Sequence, residues 1–347
     1  MQGFKICIGT KIVSLLSFDL TNNLKGVSIV EITRESWHCE NTKKLIDKKT
    51  LKPILKRDNY HGIIHFSGHI LAIVICGWFL LLTLGSAWSI PFFIGQGLLL
   101  AFLFAPLHEC IHSSAFKARR LNKLIGHICG LLILRPFLYS KYRHMAHHTW
   151  TQHPTMDPDQ VFFPRSIGEY IGHISSVKIW HRLIKNMFAL AAGKLTSEEK
   201  AFIPKNEVTS VIWEARFMLA TYVLIAAVSV WLNSALALYL WLGPRIVGEI
   251  GLRAFRMVEH TGMEESPNML ANTRTTQTNF LVRALYWNMP YHAEHHLYPN
   301  VPFHALPELH KHIRPHLKEV GQGVVRVHAQ ILRQIWSSKP KSSAADQ

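Results

Sequence analysis

The chain has 347 residues, of which 48% are hydrophobic and 17% are charged. Soluble domains carry about 25% charged residues, so this composition favours a membrane protein over a pair of soluble domains. No base-reading motif accompanies the formal net charge of +16, and we interpret that charge as attraction to anionic lipid headgroups, not as nucleic-acid binding.

Residues 1–57 are predicted to form an N-terminal extension that ends in a basic interfacial segment. Within residues 43–57, lysines surround Leu45 and Leu51, a pattern typical of a helix lying on lipid headgroups; a solvated charged linker is the alternative. Residues 1–40 show no clear signal peptide.

Two long windows, 58–116 and 217–244, contain no lysine or arginine. Each can hold two helices of roughly 20 residues, the length that crosses a bilayer. We therefore expect four spans in two hairpins, at about 62–87, 90–107, 211–232 and 234–254. Because the basic residues lie outside the hairpins, the positive-inside rule places both termini and residues 117–216 in the cytoplasm.

Three histidine clusters follow the predicted spans, and a lone His260 lies between the second and the third. They read HECIH at 108–112, HMAHH at 144–148 and HAEHH at 292–296. On a helix, positions i, i+3 and i+4 share a face, so each cluster projects its imidazoles in one direction. An even number of predicted crossings separates the clusters, which puts them on the same side of the membrane.

Together these clusters supply nine candidate metal ligands. They are His108, His112, His144, His147, His148, His260, His292, His295 and His296. A zinc site needs three or four protein ligands, so nine imidazoles indicate two metal ions. Imidazole also suits iron, copper and nickel, so the ligand type does not identify the metal.

The remaining segments are assigned to a cytoplasmic helical cap and a tail. The apolar run Leu124–Leu134 is too short to cross a bilayer and predicts a buried or re-entrant helix, whereas Ile167–Leu195 predicts one amphipathic interfacial helix. The catalytic domain is expected at 58–318, followed by a C-terminal tail at 319–347. We expect helix through residue 337 and disorder in the last stretch, SSKPKSSAADQ.

The other histidines are interpreted as structural. Those at positions 61, 65 and 69 line one face of the first span and could also contact substrate, and His153 could support the second cluster. The isolated ones are His127, His173, His181, His304, His310, His312, His316 and His328. Five scattered cysteines show no spacing for a disulfide framework or a metal site.

Three functions fit a histidine-rich membrane protein. HECIH matches the H-E-x-x-H motif of zinc proteases, with Glu109 as general base, but this leaves the other clusters without a role. A metal transporter would place its ligands near the bilayer midplane. Two redox-active metals could instead activate dioxygen and oxidise an unactivated C–H bond, for which side chains alone have no reagent.

The order HECIH, HMAHH and HAEHH resembles the membrane fatty acid desaturase superfamily of non-haem di-iron enzymes. NTRTTQTN at 272–279 and NMPYHAEHHLYPNVPFHALPELH at 288–310 are similar to its bacterial members. The resemblance covers roughly residues 55–318. It implies an all-α integral membrane protein, with the cap holding two iron ions on the nine histidines and with no further catalytic side chain assigned. It also implies oxygen-dependent desaturation of a lipid acyl chain, and we expect a multi-pass protein of a bacterial inner membrane.

The resemblance has limits in detail. Arg256 stands where animal acyl-CoA desaturases carry an asparagine that helps to hold a metal-bound water. No His-Pro-Gly-Gly haem motif and no cluster-binding cysteine set is present, so electrons are expected from a separate ferredoxin-like or small cytochrome partner with its reductase. The superfamily also contains hydroxylases and ketolases of lipids and carotenoids, and that alternative stays open.

Overall fold

The computed structural model of the protein describes Trp37, residues 45–160 and residues 162–337. The interpretations of residues 1–36 and of the tail beyond residue 337 lie outside this part of the chain. The described part is mostly helical. Its α-helices are α1 Lys48–Ile54, α2 Tyr60–Leu82, α3 Ser89–Phe102, α4 Phe104–Ile111, α5 Arg119–Ile133, α6 Phe137–Trp150, α7 Ile167–Ile174, α8 Val177–Ala191, α9 Ser197–Phe202, α10 Val208–Trp231, α11 Gly243–His260, α12 Met269–Asn272, α13 Phe280–Leu285, α14 His292–Leu297, α15 Leu306–Ile313 and α16 Val324–Ser337.

The shorter elements connect these helices. Strands β1 and β2 pair in parallel, with Thr275 opposite Val320 and Thr276 opposite Gly321. A π-helical turn, Leu238–Leu242, leads directly into α11. The 3₁₀ turns are Lys205–Glu207, Phe303–Ala305 and Arg314–His316.

Three helical segments are long and apolar enough to cross a membrane. They are Tyr60–Leu82, Ser89–Ile111 and Lys205–Trp231, and they agree with the first three predicted spans. The fourth predicted span, 234–254, does not meet this test by itself. This range covers the π-helical turn and the first part of α11. Helix α11 carries charged residues such as Arg245 and Glu249.

The helices α5 and α6 pass the test of length and composition only as a pair, and they bend by 99° at their junction. The bend follows Leu134, whose φ of 61° is left-handed and ends α5. Such a geometry is typical of a broken span or a re-entrant segment, and the short apolar run predicts the second.

The closest helix contact lies between α3 and α11. A Cβ atom placed on Gly248 would lie 1.8 Å from the carbonyl oxygen of Gly97, so only glycine permits this approach. Farther along, the rings of Phe102 and Phe255 lie 5.2 Å apart. Because residue numbers rise together along this contact, the two helices run parallel.

Helix α2 packs antiparallel to α3 and forms the first predicted hairpin. The Cys76 thiol donates to the carbonyl of Phe92, and the His69 ring bonds the carbonyl of Leu99 at 2.9 Å. The other nitrogen of His69 lies 3.4 Å from the indole nitrogen of Trp287. His69 thus has the structural role expected for the histidines of this span.

The basic segment and the first part of the predicted tail both pack against the rest of the described chain. Ile46 and Ile54 belong to a buried cluster with Leu306 of α15, so the apolar side of the basic segment contacts protein. In a second cluster, Val327 and Ile331 of α16 pack with α11. The tail predicted at 319–347 therefore begins inside the packed fold.

The single amphipathic helix predicted over Ile167–Leu195 is wrong in one respect. The chain breaks at Ser176, whose φ of 63° is left-handed, and forms α7 and α8 instead. Helix α8 then buries Met187 and Leu190 in a cluster with Val211 of α10. The break lets α8 turn onto α10, a contact that periodicity along the segment does not reveal.

We predict that Gly248→Ala destabilises the protein, because the new methyl group would collide with the α3 backbone; overpacking typically costs about 1–3 kcal/mol. Thermal unfolding of the detergent-purified protein measures the effect. Gly68→Ala is the matched control, since a Cβ on Gly68 meets nothing within 4 Å. Equal midpoints for the two variants would contradict the close contact.

Candidate metal centre

The nine predicted ligands converge at the ends of four helices. Helix α4 and its C-cap carry the first cluster, α6 the second and α14 the third, while His260 is the last residue of α11. The parallel packing of α3 and α11 brings the first cluster and His260 to the same end of the helical bundle. All nine side chains are buried or half-buried.

The first group contains five histidines whose ligand nitrogens all lie within 4.8 Å of one another: His108, His112, His144, His148 and His295. The Nε2 atom of His144 lies 2.9 Å from that of His112 and 3.0 Å from that of His148. The Nε2 atoms of His148 and His295 are 3.2 Å apart.

The second group contains four histidines under the same distance limit: His147, His260, His292 and His296. The Nε2 atom of His292 lies 3.1 Å from that of His260 and 3.1 Å from that of His296. The groups adjoin each other, because the rings of His148 and His296 stack at 4.1 Å.

Each H-x-x-H-H cluster is divided between the two groups. His144 and His148, one turn apart, belong to the first group, whereas His147 belongs to the second. In the third cluster, His292 and His296 belong to the second group and His295 to the first. Helix α6 therefore gives two histidines to the first group and one to the second, whereas α14 gives one to the first and two to the second.

The nitrogen geometry fits bound metal ions. A metal–nitrogen bond of about 2.0–2.1 Å places neighbouring ligands roughly 3 Å apart, close to the spacing observed. One proton can satisfy a single pair of imidazole nitrogens, but Nε2 of His144 faces two others. Both ring nitrogens of His108 are buried without a hydrogen-bond partner among the described residues, a costly arrangement that a cation would relieve.

Burial also keeps the third cluster in the form that binds metal. Burial, followed by the neighbouring histidines, holds the pKa values of His292, His295 and His296 well below the ordinary value. These rings are therefore neutral at pH 7, and a neutral imidazole has a free lone pair for a metal.

Groups behind the histidines fix the orientation of the rings. Asp157 binds Nδ1 of His147 at 2.9 Å, which leaves Nε2 directed at the second group. Although burial lowers the pKa of His147, the Asp157 carboxylate raises it above the ordinary value. The carbonyl of Asn272 and the hydroxyl of Thr151 bond Nδ1 of His260 and His296, each at 3.2 Å. Such carboxylate or carbonyl partners accompany most metal-bound histidines.

The third cluster is anchored through Glu294, which points away from the metal groups. Its carboxylate accepts a hydrogen bond from Thr275 of β1 and lies 2.5 Å from Nδ1 of His310 on α15. This contact agrees with the structural interpretation of His310. In the fold it joins α15 to the cluster that carries three of the nine ligands.

Glu109 lies beside the first metal group, with its Oε1 atom 3.6 Å from Nδ1 of His108. It is completely buried, and one carboxylate oxygen accepts hydrogen bonds from the Ser114 hydroxyl at 2.7 Å and from the Phe303 amide at 3.2 Å. These bonds join the first cluster to the segment after α14. The zinc-protease alternative is not favoured.

Arg256 occupies a position between the metal centre and the nearby loop. Its guanidinium lies 3.8 Å from Asp159, 4.0 Å from Glu259 and 4.7 Å from the centre of the Phe104 ring. The Glu259 carboxylate in turn lies 3.6 Å from Nε2 of His292. Arg256 is thus linked to the predicted ligand His292 through Glu259.

The other histidines have local partners. His153 accepts backbone hydrogen bonds from Thr155 and Met156 at 3.3 Å, which stabilises the loop after α6 but does not reach a predicted ligand. His127 pairs with Glu214, and His328 bonds the Ala254 carbonyl. The structural interpretation fits these residues.

Asp157, Thr151 and Asn272 were not identified from the sequence. Asp157 lies ten residues after His147, and neither helical spacing nor a motif relates the two. A carboxylate close behind a histidine cluster is a weak signal, because the chain must turn back before the pair can meet.

Comparison with known proteins gives one family. Residues 85–327 match the family model described as fatty acid desaturase. A fatty acid desaturase of Bacillus subtilis is 26% identical over 258 residues, which cover 69% of this chain and 72% of the relative. An sn-1 oleoyl-lipid 12-desaturase of Picosynechococcus is 25% identical and covers 65% of this chain and 66% of the relative. An sn-1 acyl-lipid omega-3 desaturase (ferredoxin) of Synechocystis is 32% identical over 99 residues, or 28% of this chain and 27% of the relative.

We predict that His295→Ala and His147→Ala each lower the metal content, the first through the five-histidine group and the second through the four-histidine group. Elemental analysis of the purified variants should show a loss of about one ion per chain in each, with two bound in the unsubstituted protein. His181→Ala, an exposed position on α8, serves as the control. Full metal content in either cluster variant would remove that residue from the ligand set.

We predict that Asp157→Asn weakens metal binding about 10–100-fold, the usual cost of losing such a partner, because the amide keeps the shape but loses the charge that orients His147. Competition with a chelator measures the affinity. The exposed Glu198→Gln removes one carboxylate elsewhere and should have no effect. Unchanged affinity in Asp157→Asn would assign the carboxylate to the loop alone.

Proposed function

Because this chain belongs to the fatty acid desaturase family, we propose that it introduces a double bond into the acyl chain of a membrane lipid, with dioxygen as co-substrate, at a di-iron centre on the nine histidines. The chain is a desaturase-like oxidoreductase. The observation that carries the proposal is the pair of adjoining groups of five and four histidines. Within each group, neighbouring Nε2 atoms lie 2.9–3.2 Å apart.

The protein contributes position and shielding to this reaction. When bound, two iron ions supply the activation of dioxygen and the removal of hydrogen from an unactivated C–H bond. The nine imidazoles would hold them, and the hydrogen bonds of Asp157, Thr151 and the Asn272 carbonyl keep three of the rings aimed inward. Buried apolar residues such as Leu107 and Met289 exclude water from the surroundings.

The proposed topology has four spans, with α11 and the turn before it as the fourth. Helix α11 lies parallel to α3, so both would cross in the same direction and end on the cytoplasmic side. Two charged residues of this span pair inside the protein: Glu249 lies 2.5 Å from Arg245 and 2.9 Å from Arg135. Intramembrane charges are tolerated when they pair in this way. In the proposed orientation, the helical cap and both termini would lie in the cytoplasm of a bacterium, at its inner membrane.

Electrons would come from a separate carrier. A ferredoxin-like protein suits the proposal because the similar Synechocystis enzyme is named for ferredoxin. A small cytochrome with its reductase is the alternative carrier. The net charge of +16 favours an acidic partner in either case.

We predict new double bonds in the membrane lipids of an aerated bacterial strain that expresses the protein, and none in the same strain expressing His295→Ala, because that variant lacks a ligand of the first group. Mass spectrometry of the fatty acid esters is the measurement. His181→Ala should retain the activity of the unsubstituted protein. New hydroxyl or keto groups without double bonds would contradict desaturation and favour the hydroxylase or ketolase alternative.

A further inference from the structure

A basic cavity of about 140 Å³ lies beside the metal centre and shares two helices with it. Helix α6 lines the cavity with Tyr139 and Arg143, and the second histidine cluster begins at the next residue, His144. Helix α11 lines it with Arg253 and Arg256 and ends at His260. At the rise of an α-helix, Arg256 is about 6 Å from His260 along the axis.

The charges that line this cavity do not cancel. Six arginine and lysine side chains and one carboxylate, Asp159, form its walls; the basic residues are Arg135, Arg143, Lys178, Arg182, Arg253 and Arg256. Asp159 pairs with Arg143 at 2.9 Å, and Glu249, behind the wall, pairs with Arg135 at 2.9 Å. The cavity therefore carries an excess of positive charge.

The burial of Arg253 is the strongest indication that this cavity binds an anion. Arg253 is 5% exposed, and its buried Nε has no hydrogen-bond partner among the described residues. No ion pair joins Arg253 to any carboxylate of the described chain within 4.0 Å. A buried guanidinium without a counterion is costly, so its position at this cavity points to an anionic ligand.

An apolar groove of about 400 Å³ lies next to the cavity, between α8 and α10. Leu183 and Met187 line both spaces, so the basic cavity and the apolar groove adjoin each other. A second groove of about 570 Å³ extends the path along α10 and shares Tyr222 and Ala226 with the first.

The side chains at the rim of the groove are apolar and exposed, as expected for contact with a bilayer. Ile184 and Phe188 of α8 and Val223 of α10 are more than half exposed. One end of the path is thus cationic and the rest is apolar and open to lipid, which is the polarity of an anionic amphiphile.

We propose that the basic cavity binds the phosphate of an anionic membrane phospholipid, with one of its acyl chains in the groove between α8 and α10. The second chain of the same lipid is then the substrate for the neighbouring centre. This last step rests on the proposed desaturase function, whereas binding of the lipid does not. Free phosphate shares the head chemistry but leaves the apolar groove unused.

The test is a titration of the purified full chain in detergent with three probes: dioctanoyl phosphatidylglycerol, dioctanoyl phosphatidylcholine and inorganic phosphate. Calorimetry should show phosphatidylglycerol binding about tenfold more tightly than phosphatidylcholine or inorganic phosphate. The double variant Lys178→Gln, Arg182→Gln, which changes two exposed cavity residues, should lose about that factor. The matched control, Lys185→Gln, Lys194→Gln, removes two exposed charges that do not line the cavity and should bind normally.

Three results would overturn the lipid site: equal affinity for phosphatidylcholine, equal affinity for inorganic phosphate, or equal losses in the two double variants. The comparison of lipids on the unsubstituted protein needs no variant and stands if a variant fails to fold. Lipids of the expressing strain, separated by head group, test the substrate step. New double bonds in anionic lipids support it, and double bonds confined to zwitterionic lipids overturn it. Double bonds in no class contradict the proposed function itself, and the titration then decides the lipid site separately.

Discussion

The contact between α3 and α11 is the interaction on which the metal centre depends. Two backbones approach closely there because Gly97 and Gly248 have no side chains. The parallel direction of the helices brings the first histidine cluster and His260 to one end of the bundle. Without this contact, the two groups would each lack a wall, since α4 continues α3 and contributes to the first group while α11 contributes to the second.

Around this contact, short polar links add to the apolar packing of the helices. Asp157 and Thr151 hold rings of the second group, and Glu294 ties α14 to β1 and α15. These partners come from loops and short helices of the cap, not from the apolar helices. The long apolar helices thus position the helix ends, and the loops and short helices set the orientation of the rings.

The buried charged residues of α11 differ in their partners. Arg245 pairs with Glu249 inside the helix bundle and contributes to packing, as its contact with Trp180 also indicates. One and two turns later, Arg253 and Arg256 face a cavity where positive charge exceeds negative charge. The same helix therefore carries charges with carboxylate partners and one buried guanidinium, that of Arg253, whose Nε has no hydrogen-bond partner among the described residues.

The nine histidines and the first three spans could be predicted from the sequence, because both depend on local spacing. Apolar length determines which helices can cross a bilayer, and the i, i+3, i+4 pattern determines which rings share a helix face. The family could also be predicted, and the matching family model confirms it. The predicted fourth span, 234–254, stays a prediction, because α11 carries charged residues such as Arg245 and Glu249 and so departs from the apolar composition of a span.

Only the tertiary structure decided how the histidines divide into five and four, and which groups orient them. His147 separates from His144 and His148 because positions i+3 and i+4 lie about 100° apart around a helix axis, on either side of position i, and contribute to different groups. The partnership of His147 with Asp157, the link from His310 to Glu294 and the break between α7 and α8 likewise depend on how the chain folds back. Sequence spacing determines the direction of a side chain from its own helix, whereas the residue it meets is set by the packing of helices that are distant in the chain.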